Sequence, residues 1–147
     1  MEDTAIRKII SKYTNKYSTN NPYELAKYLK IEVFYSPFGA LSGFYKYMKR
    51  HKCIFINSDI EDENLMRFVM AHELGHAIMH TKENCYFMDS KTLLNTSKIE
   101  TQANMFAINL LVPDELFAEH KNLTLAQFAR LTGNDKKLIE LKMINHM

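Results

Sequence analysis

The pentapeptide His72-Glu73-Leu74-Gly75-His76 constrains this chain more than any other stretch. It sits in a run of helical periodicity, where Leu65, Phe68 and Val69 share a face with both histidines. Residues four apart on a helix are offset by about 40° around the axis and about 6 Å along it. Two imidazoles so placed can converge on one tetrahedral zinc ion, so the spacing predicts a metal-binding helix rather than a plain core helix. Glu73 stands beside them, where its carboxylate can take a proton from a water that the metal has acidified. The bland alternative is a pair of core histidines satisfied by hydrogen bonds. That alternative leaves Glu73 and the third donor described next as coincidences.

A third donor must come from elsewhere in the chain. His80 continues the four-residue series, but in a straight helix it stands about 12 Å along the axis from His72. It is read as a packing residue, as a support for a ligand ring, or as a substrate contact. Glu100 is the better candidate. It shares a helix face with Ala103, Asn104, Ala107 and Leu111, and a carboxylate on such a face needs a cation or donors to compensate its burial. Ala103 and Ala107 are small enough to let this helix lie close to the His72–His76 helix. Asn104, one turn on, can orient a ligand histidine through its ring N–H. The alternative for Glu100 is a part-exposed carboxylate favoured by the dipole of a helix start. Glu83 and Asp89 are weaker candidates for the same role.

The rest of the chain supplies a scaffold. Ile6, Ile9, Ile10, Tyr13 and Tyr17 recur at helical spacing. Asn21-Pro22-Tyr23-Glu24 reads as a capped helix start, with the helix running to about Lys30. Ile31–Tyr35 reads as a strand ended by Ser36-Pro37-Phe38-Gly39. Gly43–Met48 and Cys53–Asn57 read as a hairpin joined by Lys49-Arg50-His51-Lys52, a solvated basic turn or a contact for an acidic partner. Ser58 or Asp59 is expected to cap the long helix, which reaches about His80. Thr81–Ser97 is polar and long for a loop, hence functional or mobile. A second apolar helix spans about Lys98 to Val112, stopped by Pro113. Short helices follow, one opened by the capping box Thr124-Leu125-Ala126-Gln127 and one ended by Gly133. The expected class is α+β, with a small antiparallel sheet packed on helices in a single domain over residues 1–147.

Composition narrows the function. A chain of 147 residues with 46% hydrophobic and 24% charged residues can bury a core. Its net charge of +2 is too small for a dedicated nucleic-acid binder. No apolar stretch approaches the roughly 20 residues that span a bilayer, and the N-terminus lacks the apolar core of a signal peptide. Cys53 and Cys85 form no CxxC pair, so they are read as free thiols of a cytoplasmic protein, with a single disulfide as the alternative. The chemistry expected is peptide hydrolysis. Zinc polarises a carbonyl, and Glu73 carries the water's proton to the leaving amine. Tyr45, Tyr86 and His80 are candidate donors to the oxyanion, and the sequence does not choose among them. An edge of the 43–57 hairpin can hold an extended peptide across the metal.

Residues 21–113 also resemble the ImmA/IrrE family of zinc metallopeptidases. The resemblance runs through Pro22-Tyr23-Glu24-Leu25-Ala26, Ile31-Glu32-Val33, Leu41-Ser42-Gly43-Phe44-Tyr45 and Ile54-Phe55-Ile56-Asn57. It continues through Arg67-Phe68-Val69-Met70-Ala71-His72-Glu73-Leu74-Gly75-His76 with His80, then Glu100-Thr101-Gln102-Ala103-Asn104-Met105-Phe106-Ala107 and Leu110-Leu111-Val112-Pro113. It implies a zincin-like fold, one zinc ion held by His72, His76 and Glu100, and Glu73 as general base. Gluzincins place an acidic residue one turn after the ligand glutamate; here that place is taken by Asn104. The resemblance further implies a separately encoded helix-turn-helix repressor of a mobile element or prophage as substrate. A non-cleaving protein that captures a repressor on the same scaffold is the alternative. Neither nucleic acid nor membrane is an expected partner.

Overall fold

Side-chain caps start several of the helices in the computed structural model, which describes residues 3–83, 85–87, 97–120, 122–132, 136–137, 139–140 and 142. Helix α1 covers Asp3–Tyr17 and buries Ile6 and Ile10. Helix α2 covers Pro22–Tyr28, and the Asn21 side chain accepts from the Tyr23 amide at 2.9 Å. Helix α3 covers Glu63–Met79. Its cap is Asp62, which accepts from the amides of Asn64 and Leu65, rather than Ser58 or Asp59. Those two are held in the preceding turn: Ser58 donates to the Ser36 carbonyl and Asp59 to the Asn57 side chain. Helix α4 covers Lys98–Leu111, α5 Asp114–Glu119 and α6 Leu125–Thr132. Thr124 and Gln127 exchange reciprocal hydrogen bonds at the start of α6, as the capping-box motif requires.

The sheet has strands β1 (Glu32–Ser36), β2 (Gly43–Met48), β3 (His51–Asn57) and β4 (Cys85–Phe87), in the order β1-β3-β2-β4. β2 and β3 form the expected hairpin, but its turn is only Lys49-Arg50, with φ of 48° and 67°. Such left-handed pairs match the twist of a two-residue hairpin. His51 and Lys52 therefore open β3 instead of lying in the turn. β3 returns from the hairpin into the space between β2 and β1, and meets β1 in parallel. The sheet is thus mixed rather than wholly antiparallel. Asn57 fixes the loop that makes this crossing. Its amide nitrogen donates to the Gly39 and Leu41 carbonyls at 3.0 Å each, and its oxygen accepts from the Phe38 and Asp59 amides. Phe34, Phe55 and Phe44 stack across three strands, a cross-strand pairing that stiffens the sheet.

Both hairpin strands are internal, because β1 flanks β3 and β4 flanks β2. The expected docking edge on the hairpin is therefore covered, and β1 and β4 form the edges among the described residues. β4 lies inside the polar stretch 81–97, whose composition predicts a loop. Asp89 and Gly133 fall outside the described residues, as do the side chains of Cys85 and Tyr86. Cys53 is buried and free.

Helix α3 packs against β2 and β3 on one side and α4 on another. Every residue from Phe68 to Ala77 is buried in consequence, so α3 is a central helix rather than an amphipathic one. Only its start is exposed, Leu65 included. Two glycines permit the close packing. A Cβ on Gly75 would stand 3.1 Å from Phe106 of α4, and a Cβ on Gly43 would stand 2.8 Å from Val69 and 2.9 Å from the Phe55 carbonyl oxygen. Ala103 and Ala107 are wholly buried on α4, as their size suggested.

A polar network ties the back of α4 to more distant segments. Lys142 is buried and donates to Asp114 at 2.8 Å and Asn109 at 2.9 Å. Arg7 pairs with Asp3 at 2.7 Å and Asp114 at 3.2 Å, and Asn109 donates to Asp3. No helix among the described residues is long and apolar enough to cross a membrane.

Gly43→Ala should test the α3–sheet contact. The added methyl meets a backbone carbonyl that cannot swing away, so urea unfolding should show a loss of about 1–3 kcal/mol.

Candidate metal centre

His72 and His76 lie one turn apart on α3 and are wholly buried. Glu100, in the first turn of α4, is buried against them. One carboxylate oxygen lies 3.0 Å from His72 Nε2 and the other 2.9 Å from His76 Nε2. The donor atoms of all three residues fall within 4.8 Å of one another, so the three side chains together can hold a metal ion. The sequence had singled out the same three.

Ring tautomers follow from the neighbours. Asn104 presents its side-chain oxygen 2.8 Å from His72 Nδ1. An amide oxygen only accepts, so Nδ1 carries the hydrogen and a neutral ring leaves the Nε2 lone pair facing Glu100. His76 Nε2 also faces Glu100, outside the alignment of a hydrogen bond. With both rings neutral and their Nε2 lone pairs turned inward, the two nitrogens and the carboxylate are all acceptors, which repel at this distance unless a cation lies between them. Without a cation, His72 Nε2 is at hydrogen-bond distance from Glu100, 3.0 Å. The residues therefore fit a divalent metal.

Burial raises the Glu100 carboxyl, but without a metal the hydrogen bonds and positive charge that the His72 and His76 rings can supply outweigh it and hold the group at about 2. A bound cation would take over that stabilising part. Burial pushes His76 down, and His72 adds to that effect; a neutral imidazole is the form that can bind metal. Glu73 is wholly buried beside the histidines, and neither of its oxygens has a hydrogen-bond partner among the described residues. Burial, and then the charge of Glu100, push its carboxyl well above the usual range. A bound cation would offset both effects.

The remaining candidates divide. His80 caps α3, with its Nδ1 2.9 Å from His76 Nδ1 and its Nε2 2.7 Å from the Gln102 side-chain oxygen. It touches a ligand candidate from behind rather than joining the cluster. Tyr45 is wholly buried, and its hydroxyl donates to the Thr81 carbonyl just past α3. Glu83 lies outside the metal-holding group. Gln102 was not given a role by sequence reasoning. The available signal was His80 itself, since a buried imidazole beside another needs an acceptor for its second nitrogen.

Residues 26–139 match the sequence model of the IrrE N-terminal-like domain, the M78 peptidases. The chain belongs to that family. An M78 peptidase is of metallopeptidase type, and the α+β fold seen here is its zincin-like domain. The M78 chain is 40% identical to an uncharacterized immunity region protein of Bacillus phage phi105, across 98% of this chain and 92% of that one. It is 30% identical to the metallopeptidase ImmA of Bacillus subtilis strain 168, across 70% of this chain and 60% of ImmA.

Tyr45→Phe should separate anchoring from chemistry. Loss of the bond to Thr81 should cost about 1 kcal/mol in urea unfolding and leave metal content unchanged, as read by elemental analysis of the purified protein.

Proposed function

We propose that this chain is a zinc endopeptidase of the cytoplasm. In this reading His72, His76 and Glu100 hold one zinc ion, Glu73 is the general base, and the substrate is a separately encoded helix-turn-helix repressor. The observation that carries the reading is the meeting of two imidazoles and a carboxylate in the interior, with a second buried carboxylate alongside that has no hydrogen-bond partner among the described residues.

A cation bound there supplies Lewis-acid charge, for activating water and for polarising the scissile carbonyl. The chain's own residues do the rest. Glu73 takes a proton from water and delivers it to the leaving amine. Its burial keeps competing solvent away from that carboxylate. Asn104 fixes the His72 ring so that Nε2 faces inward. The backbone of β2 runs beside Glu73, where Gly43 leaves room for its side chain. Among the described residues β4 pairs only with β2, and its other edge can take up an extended peptide by strand addition.

The substrate class rests on relatives. One is an immunity region protein of a phage and another is the metallopeptidase ImmA. Regulation of phage or mobile-element genes by proteolysis of a repressor fits both.

The decisive experiment mixes the purified protein with the repressor encoded nearest to its gene, and reads intact masses. Wild type should give two fragments. Glu73→Gln should retain zinc and lose at least about 100-fold in cleavage rate, the lower range for losing a general base. Glu100→Ala should lose most of its zinc. Inactivation of the repressor by Glu73→Gln as strong as by wild type, with no fragment, would favour capture without cleavage.

A further inference from the structure

The outer nitrogens of the two histidines are handled differently. His72 meets an amide oxygen directly. His76 instead meets another imidazole, that of His80. An imidazole can donate or accept at the same atom, so His80 alone does not decide where the hydrogen of His76 sits. The decision falls to whatever holds the far side of His80, and that is Gln102.

We infer that Gln102 is a positioning residue, whose side-chain oxygen fixes the tautomer of His80 and thereby presents a bare His76 Nε2 to the metal. This inference rests on the metal reading given above. Gln102 Oε1 lies 2.7 Å from His80 Nε2. An oxygen accepts only, so His80 Nε2 carries the hydrogen. A neutral His80 then has a bare Nδ1, which lies 2.9 Å from His76 Nδ1. His76 Nδ1 must donate, and its Nε2 is left with the lone pair, 2.9 Å from Glu100. The opposite ordering would place a hydrogen on His76 Nε2, between the ring and any metal.

All three groups are buried, Gln102 included, so bulk water does not replace the relay. Glu100, Gln102 and Asn104 all come from one helix, α4. A single element thereby supplies a ligand candidate and orients both imidazoles, one directly and one through an intermediary. Orientation of this kind commonly changes metal affinity by about 10–100-fold.

The test uses full-length protein, zinc alone as probe and two readouts. Long-range ¹H–¹⁵N spectra of zinc-loaded, histidine-labelled wild type should show His80 protonated at Nε2 only and His76 at Nδ1 only. Competition with a chromophoric chelator should show that Gln102→Met, which keeps the shape and removes the strong acceptor, weakens zinc by about 10–100-fold. Gln102→Glu, which keeps an acceptor, should restore the wild-type spectrum and most of the affinity. Protonation of His80 at Nδ1 in the wild type overturns the inference, even if Gln102→Met does not fold. Equal losses in the Met and Glu variants overturn it too. Wild-type protein that binds no zinc would instead sink the metal reading, and the relay with it.

Discussion

Three electron-rich groups buried side by side are the demand that the rest of the structure meets. His72, His76 and Glu100 are brought within bonding reach of one another inside the protein. Such a cluster is unfavourable by itself, because desolvation removes the water that would stabilise each lone pair. The fold sustains it with helix packing that leaves little freedom. α3 is enclosed from Phe68 to Ala77, and Gly75, Ala103 and Ala107 let α4 approach closely. Metal binding and core packing are therefore coupled, and the energy of one is felt in the other.

Much of the centre was legible in the sequence because it is written in helical spacing. His72, Glu73 and His76 are adjacent in sequence and in space. Glu100 was recoverable because a carboxylate on an apolar helix face requires compensation, and Asn104 because it follows one turn later. Gln102 was hidden. Its role depends on His80 at the end of α3, and on a side chain reaching it from another helix, which no local pattern encodes.

The sheet was half legible for a similar reason. The β2–β3 hairpin is a local pairing, and its strands showed in their β-branched and aromatic residues. The pairing of β1 with β3 is nonlocal and depends on the loop that Asn57 clamps. β4 is three residues long in a polar stretch, too short to give a periodic signal. The edge thought to be free on the hairpin is covered by these two strands. Likewise Asp62 won the cap of α3 because Asn57 and Ser36 hold the residues before it in a turn.

Asp114 neutralises one cation from each flank, Arg7 from α1 and Lys142 from beyond α6. Both cations lie outside residues 26–139, the stretch matched to the family. A fragment trimmed to those limits would forfeit them together, along with the burial of Ile6 and Ile10 against the interior. It would leave Asn109, on the helix that bears Glu100, and Asp114, at the start of the next helix, as a polar scar. The contacts that brace this domain therefore reach beyond the stretch by which its kin are recognised.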